Sequence, residues 1–388
     1  MYERDLREEL SDSIPTRVTR DLTVNLPTGP VVVDDQAGAG GVLELPSHAR
    51  ASDITWVFGT LWAGVAIRLI PTPGQFSSLV KLTLQYMRFT DAGAGISDVV
   101  SSRCPRLKTL RMVGVRDVRE LRLRSATLED LTLNRVQDLV RLNVTAPNLS
   151  AISVMSSFYL NSSTVVSVDA PALKKVLWAD QWPDQVDFGR SADGLKTLIA
   201  VHVLVDVPLW LGGGYANILR LLEYFKRVEV LELHLSINKD NNVNWHNILM
   251  ERVKLPDHSE LRLHMASNGH AFGISVSSLL KKCHNLRKFN LCLLDRKEDN
   301  ACLPDCVCRQ APDLWGELSL DSLEELIVDN FLGMKTHADF LHSVLQSANM
   351  VRKVLITLPK HLELSRHLRD EIHSLCPLGI VEFRRNEW

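Results

Sequence analysis

One short phrase recurs through the middle of this chain, and its recurrence limits the possible folds more than any composition could. Leu107-Lys-Thr-Leu110-Arg-Met112 is followed by Leu128-Glu-Asp-Leu131-Thr-Leu133 and Leu149-Ser-Ala-Ile152-Ser-Val154. Leu173-Lys-Lys-Val176-Leu-Trp178 and Leu195-Lys-Thr-Leu198-Ile-Ala200 complete the run. The starts lie 21, 21, 24 and 22 residues apart. A period of that size means stacked units, each too small to bury its own apolar face. One coil offers about three large inward side chains at about 1.5–3 kcal/mol each, while ordering its backbone costs about 1–2 kcal/mol per residue. A single coil cannot stand alone, so the coils must share a core.

Each phrase fits L-x-x-L-x-L, the strand signature of leucine-rich repeats. The fold class expected is an α/β repeat, an irregular leucine-rich-repeat solenoid (arc). From 107 to 200 the coils leave no room for a helix of ordinary length. A second alternating half-coil fills them instead: Val118-Arg-Glu-Leu121-Arg-Leu123, Leu139-Val-Arg-Leu142-Asn-Val144, Val166-Ser-Val168 and Val186-Asp-Phe188. Strand is therefore predicted on both faces. Pro105, Pro147 and Pro171 each sit two residues before the leading leucine, a turn signal held in register.

Upstream, Leu22–Leu26, Val42–Leu45 and Ile54–Ile70 read as strands, the last broken around Gly59 and Gly64. Leu79-Val-Lys-Leu82-Thr-Leu84 opens a longer coil with a short helix at Ile96–Arg103. Beyond Leu195 the coils lengthen, and the architecture becomes β/α toward the C-terminus. Helices are predicted at Asn217–Arg227, Ser275–Lys282, Ala338–Ala348 and Ser365–Leu375, with Thr336 and Asp339 as a capping-box variant for the third.

The net charge of −2 supplies no field for nucleic acid or a membrane surface, so neither is expected as a partner. Eight Arg and Lys crowd residues 103–124, which reads as solvated positions alternating with buried leucines. The longest apolar run, Ile54–Ile67, is shorter than the ~20 residues a spanning helix needs. Seven cysteines without a secretory signal point to a reducing, intracellular compartment, cytoplasmic or nuclear.

The signatures of phosphate-binding loops, dinucleotide folds, zinc proteases and serine hydrolases are missing. No catalytic residue, metal site or cofactor is assigned, and the chain is read as a non-enzyme. Cys302, Cys306 and Cys308 form the sharpest thiol cluster; they are read as structural or loop thiols, with a zinc-stabilised module as the alternative. Cys104 and Cys283 each precede a leading leucine by three residues, which marks them as packing residues.

Strand alternation identifies the outward inner-face positions. Met155, Leu177, Ile199 and Val201 would form an apolar patch there, between a basic edge at Arg111 and a mixed edge with Glu232, His234, Arg262 and His264. His234 and His264 fall at equivalent positions just after an L-x-L strand, so they should be neighbours. These nine residues are the candidate partner-binding surface for an unidentified protein. Loops at 202–216, 235–257 and 292–319 are rival binding elements.

Ala146-Pro-Asn-Leu149, Ala266-Ser-Asn-Gly-His-Ala-Phe-Gly273, the Cys302–Cys308 cluster with Trp315, and Leu323-Glu-Glu-Leu326 through Val351-Arg-Lys-Val354 occur in that order. In this the chain resembles the plant F-box/leucine-rich-repeat proteins of the FBD type, in the grass branch. The resemblance implies a substrate-recognition role in an SCF-type E3 ubiquitin ligase. Its F-box would dock on a Skp-type adaptor. Residues 1–42 show no L-P-x-x-[IV] helix start, so the F-box is read as missing and adaptor binding as conditional on one upstream. The implied organisation is an N-terminal segment at 1–42, a repeat array at 43–320 and an FBD-like segment at 321–388 capping the array. The alternative is a stand-alone repeat protein without a ligase role.

Overall fold

Each repeated phrase enters its strand through a tight turn. In this computed structural model Leu107 N–H donates to Cys104 O at 3.1 Å, Leu149 N–H to Ala146 O at 3.0 Å, and Leu173 N–H to Ala170 O at 2.9 Å. Proline occupies the second position of all three turns, where its fixed φ is already correct. The structure describes residues 21–25, 42–44, 51–57, 66–68, 76–89, 93–158, 163–201, 214–236, 253–267, 272–294, 318–376 and 379–385. The chain divides into two units, Met1–Leu195 and Lys196–Trp388.

In the first unit, strands numbered in chain order form a parallel inner ladder. Its members are β1 (Asp21–Asn25), β3 (Asp53–Val57), β5 (Lys81–Gln85), β7 (Thr109–Val113), β9 (Asp130–Asn134), β11 (Ala151–Met155) and β13 (Lys175–Ala179). An outer parallel ladder runs through β8 (Glu120–Arg124), β10 (Arg141–Thr145), β12 (Val165–Asp169) and β14 (Gln185–Asp187). A smaller one joins β2 (Val42–Glu44), β4 (Ala66–Arg68) and β6 (Arg88–Phe89). Strand on both faces is thus observed, as the alternating half-coils predict.

The apolar positions of both ladders meet between them. Leu110, Leu131, Leu133, Ile152 and Val154 from the inner strands, and Leu121 and Leu123 from the outer, are 0 % exposed. At the last coils aromatic rings fill the interior. Trp178 stacks on Phe158 at 5.7 Å and meets Trp182 edge-on at 5.1 Å, and Trp182 stacks on Phe188 at 6.4 Å. Cys104 is buried, and burial pushes its thiol up to about 12; it is the packing residue its spacing implied.

The residue after each of β5, β7, β9 and β11 turns the chain by taking a left-handed conformation. Tyr86, Gly114, Arg135 and Ser156 have φ of 56°, 63°, 53° and 47°. Their N–H groups extend the ladder by bonding to Val113, Asn134, Met155 and Ala179 carbonyls respectively. After β13, Asp180 acts instead through its carboxylate, accepting N–H bonds from Ser157, Phe158 and Gln181. Burial raises its carboxyl to about 6 against the pull of those three donors.

The coil between β5 and β7 is longer and holds α1 (Ala94–Asp98) and a π-turn at Val99–Arg103, where the sequence predicts a short helix.

The second unit is a strand–helix array. β15 (Thr197–Ala200), β16 (Val230–Ser236), β17 (Glu260–Ala266), β18 (Lys288–Leu293), β19 (Glu325–Asp329), β20 (Lys353–Leu358) and β21 (Ile380–Arg385) lie in sequential parallel order. Between them run α2 (Gly214–Tyr224), α3 (Gly273–Leu280), α4 (Lys335–Gln346) and α5 (Arg366–Leu375). Phe340 of α4 packs against Phe289 of β18 at 6.4 Å and Phe272 at 5.6 Å, tying helix to ladder. Cys283, predicted as a packing residue, is buried here with its thiol raised to about 12.

Ser365 caps α5 by accepting from Leu368 N–H at 3.2 Å. The capping box expected of Thr336 and Asp339 does not form. Helix α4 starts at Lys335 with Met334 as its N-cap and no side-chain cap. Its first turn is closed by backbone instead, His337 N–H to Met334 O at 3.0 Å. His337 is 0 % exposed and accepts from Leu332 N–H at 3.1 Å, which fixes Thr336 inside the helix.

Candidate functional site

The outward positions of the two inner ladders carry the candidate surface, and each ladder has its own chemistry. In the first unit the strand register sets Arg111 beside Thr132, Ser153 beside Leu177, and Met155 beside Ala179. Arg111 is exposed, while Met155 and Leu177 are half-buried. The surrounding basic run behaves as solvated positions between buried leucines: Arg116, Arg119, Arg122 and Arg124 are exposed beside Val118, Leu121 and Leu123.

The apolar residues expected to form a patch divide between the two units. Met155 and Leu177 belong to the first unit, Ile199 and Val201 to the second. Ile199 is 6 % exposed and so is closed to solvent. The reason lies in β15, where Leu198, Ile199 and Ala200 are buried in succession. A strand buried on both faces loses the alternation on which the outward reading depended. Val201, just beyond it, is half-buried.

The mixed edge, by contrast, converges closely. On adjacent strands Glu232 pairs with Arg262 and Arg262 with Asn290, while His234 pairs with His264 and His264 with Cys292. The imidazoles of His234 and His264 stack at 4.1 Å between centroids with 11° between planes. His234 Nε2 lies 2.9 Å from Glu232 Oε1, and His264 Nε2 lies 3.6 Å from the same oxygen. Arg262 directs its Nε to Glu260 Oε1 at 2.7 Å, leaving Nη1 3.9 Å from Glu232 Oε2.

The electrostatics follow from that geometry. The hydrogen bond from His234 holds the Glu232 carboxyl below its ordinary range, reinforced by the fields of His264, His234 and Arg262 and opposed by burial. Burial, then repulsion from His234, lowers the His264 imidazole, against the pull of Glu232 and Asp329.

Cys292 and Asp329 extend the histidine row by two further strands, since His264 pairs with Cys292 and Cys292 with Asp329. Sequence reasoning did not place them there, although carrying the alternation one strand further reaches Cys292 from Asn290. Burial and the Asp329 carboxylate raise the Cys292 thiol, and Asp329 accepts from Thr357 Oγ1 at 2.9 Å. A second row alternates charge: Lys288 and Lys353 both reach Glu325, at 3.1 and 2.9 Å. Cys302, Cys306, Cys308 and most of the three rival loops lie outside the described residues.

Parallel ladders entered by proline-marked turns, with one buried leucine layer per coil, define a leucine-rich-repeat protein. Residues 40–196 match the family model of the LRR repeats of FBD-associated F-box protein At5g56370. These repeats are therefore of the F-box/FBD leucine-rich-repeat type. No curated protein matches the chain. Among the described residues no helix is long and apolar enough to cross a membrane.

Proposed function

We propose that the chain is a non-enzymatic protein-interaction scaffold that selects a protein partner, in the manner of the substrate-recognition part of an SCF-type E3 ubiquitin ligase receptor. One observation carries this reading. Inward positions repeat a single apolar chemistry, while outward positions change from strand to strand: Arg111, Thr132, Ser153, Leu177 in one unit and Glu232, Arg262, Asn290 in the other. A uniform inside fixes the scaffold, and a varied outside on rigid strands can specify a partner. Residues 321–388, with β19, α4, β20, α5 and β21, are proposed as the FBD segment that ends the array.

The test sets face against face. Arg111→Glu with Met155→Glu alters the inner ladder, and Arg122→Glu with Asn143→Lys alters the outer one. All four side chains are exposed or half-buried, so melting temperatures should stay near the parent's. Partner capture is expected to fall with the first pair alone; equal capture by both variants would overturn the inner-face reading. A Skp-type adaptor docks through an F-box, and it is expected not to co-purify with these 388 residues alone.

A further inference from the structure

We propose that Glu232, His234 and His264 form a binding site for a divalent transition-metal ion of the zinc class on the outward face of β16 and β17. Residues two apart on a strand share a face, and parallel neighbours lie about 4.8 Å apart. Glu232 and His234 therefore meet His264 across one strand gap. The three ligand atoms lie within 4.8 Å of one another. Two imidazoles and a carboxylate are a donor set that suits zinc and its borderline neighbours.

Arg262, the cation that could oppose an ion here, is engaged first by Glu260, at 2.7 Å against 3.9 Å to Glu232. Glu260, and Asp329 further along the histidine row, add negative charge to this face.

The stacked rings must turn about their Cβ–Cγ bonds for both nitrogen lone pairs to converge on one ion. Their half-buried surroundings leave room for that, with side-chain exposures of 32 % for His234 and 29 % for His264. An ion held by three ligands on this half-buried outward face keeps its remaining coordination open to solvent. That position can accept an oxygen, nitrogen or sulfur donor from outside the chain.

The experiment uses the full chain, stripped with a chelator and titrated with Zn²⁺ by calorimetry near pH 7, with Co²⁺ as the optical probe. One equivalent is expected to bind, and the cobalt spectrum should lack a thiolate charge-transfer band. His264→Ala is expected to weaken binding by more than the roughly 10–100-fold loss that follows removal of an outer-shell partner. It should leave the metal-free melting temperature unchanged, because the side chain packs no core. Replacing Cys302, Cys306 and Cys308 by serine should leave the affinity as it was. The proposal is overturned if the parent does not bind zinc, if His264→Ala binds equally well, or if only the serine variant loses the ion.

Discussion

The two units solve one problem, returning the chain to the start of the next inner strand, with different elements. Among the described residues the first returns mainly through strands, and the second through helices. The difference follows from arithmetic on the coil. A five-residue strand covers about 16 Å at about 3.3 Å per residue, whereas a helix needs about eleven residues for that distance at 1.5 Å each. A helical coil should therefore be about six residues longer than a stranded one. Inner strands of the first unit start at 109, 130, 151 and 175, and those of the second at 230, 260, 288, 325, 353 and 380. The long step from 81 to 109 contains an α-helix and a π-turn. From Thr109 onward, coil length and return element change together.

The largest test of the shared principle is a pair of substitutions one residue apart. Leu131 is 0 % exposed between the ladders, in register with Leu110 and Ile152. Leu131→Asp would place an unpaired carboxylate in a layer without polar partners, a cost of several kcal/mol, and should abolish soluble expression. Thr132→Asp puts the same group on the outward face opposite Arg111 and should be nearly neutral. Normal yield from Leu131→Asp would disprove the assigned alternation.

Acid separates the units next. His337 in α4 is fully buried against Phe272 and Phe331, and desolvation lowers its imidazole from 6.5 to about 4. A depressed folded value means stability is fully present above pH 6.5 and is lost as pH falls toward 4. The size is about 3 kcal/mol at about 1.4 kcal/mol per unit. His258, 5 % exposed and likewise lowered by burial, acts in the same direction. The described residues of the first unit contain no histidine, so this acid response belongs to the second. Urea midpoints measured from pH 7 to 4.5 should fall in the parent. The fall should be shallower in His337→Asn, which keeps an acceptor for Leu332 N–H. An unchanged slope in that variant would remove His337 from the account.

The ladders, both return styles and the packing cysteines were legible in the sequence because they depend on periodicity alone, and inward residues obey it without exception at β7 to β13. The His234–His264 pairing was legible for the same reason, since both follow an L-x-L strand at the same offset. Ile199 was not. Its place on β15 is buried on both faces, and alternation cannot report what covers a strand. Thr336 failed differently: it has the right chemistry for a cap, but the buried His337 sets where α4 begins, and burial at one position is invisible to a local motif. The full histidine row was missed because register across four strands fixes Cys292 and Asp329, and their sequence separations of 28 and 37 residues carry no local signal.

The smallest effect concerns the corners after β5, β7, β9 and β11. Four equivalent residues take positive φ there, but only Gly114 lacks a side chain. Tyr86 explains the exception, because a Cβ built on Gly114 would lie 2.7 Å from the Tyr86 ring. Gly114→Ala therefore adds a contact to the left-handed penalty of about 1–2 kcal/mol. At Arg135 the penalty is already present and no equivalent ring crowds the site, so Arg135→Gly should recover part of it. Glycine's own entropy of about 0.5–1 kcal/mol offsets most of that gain. Thermal melts should place Gly114→Ala below the parent and Arg135→Gly at or slightly above it. Tyr86→Ala supplies the decisive arm: combined with Gly114→Ala it should cost less than the two singles added together, because the crowding ring is gone. Strict additivity would leave backbone conformation as the whole cause and would remove Tyr86 from the reason this one corner requires glycine.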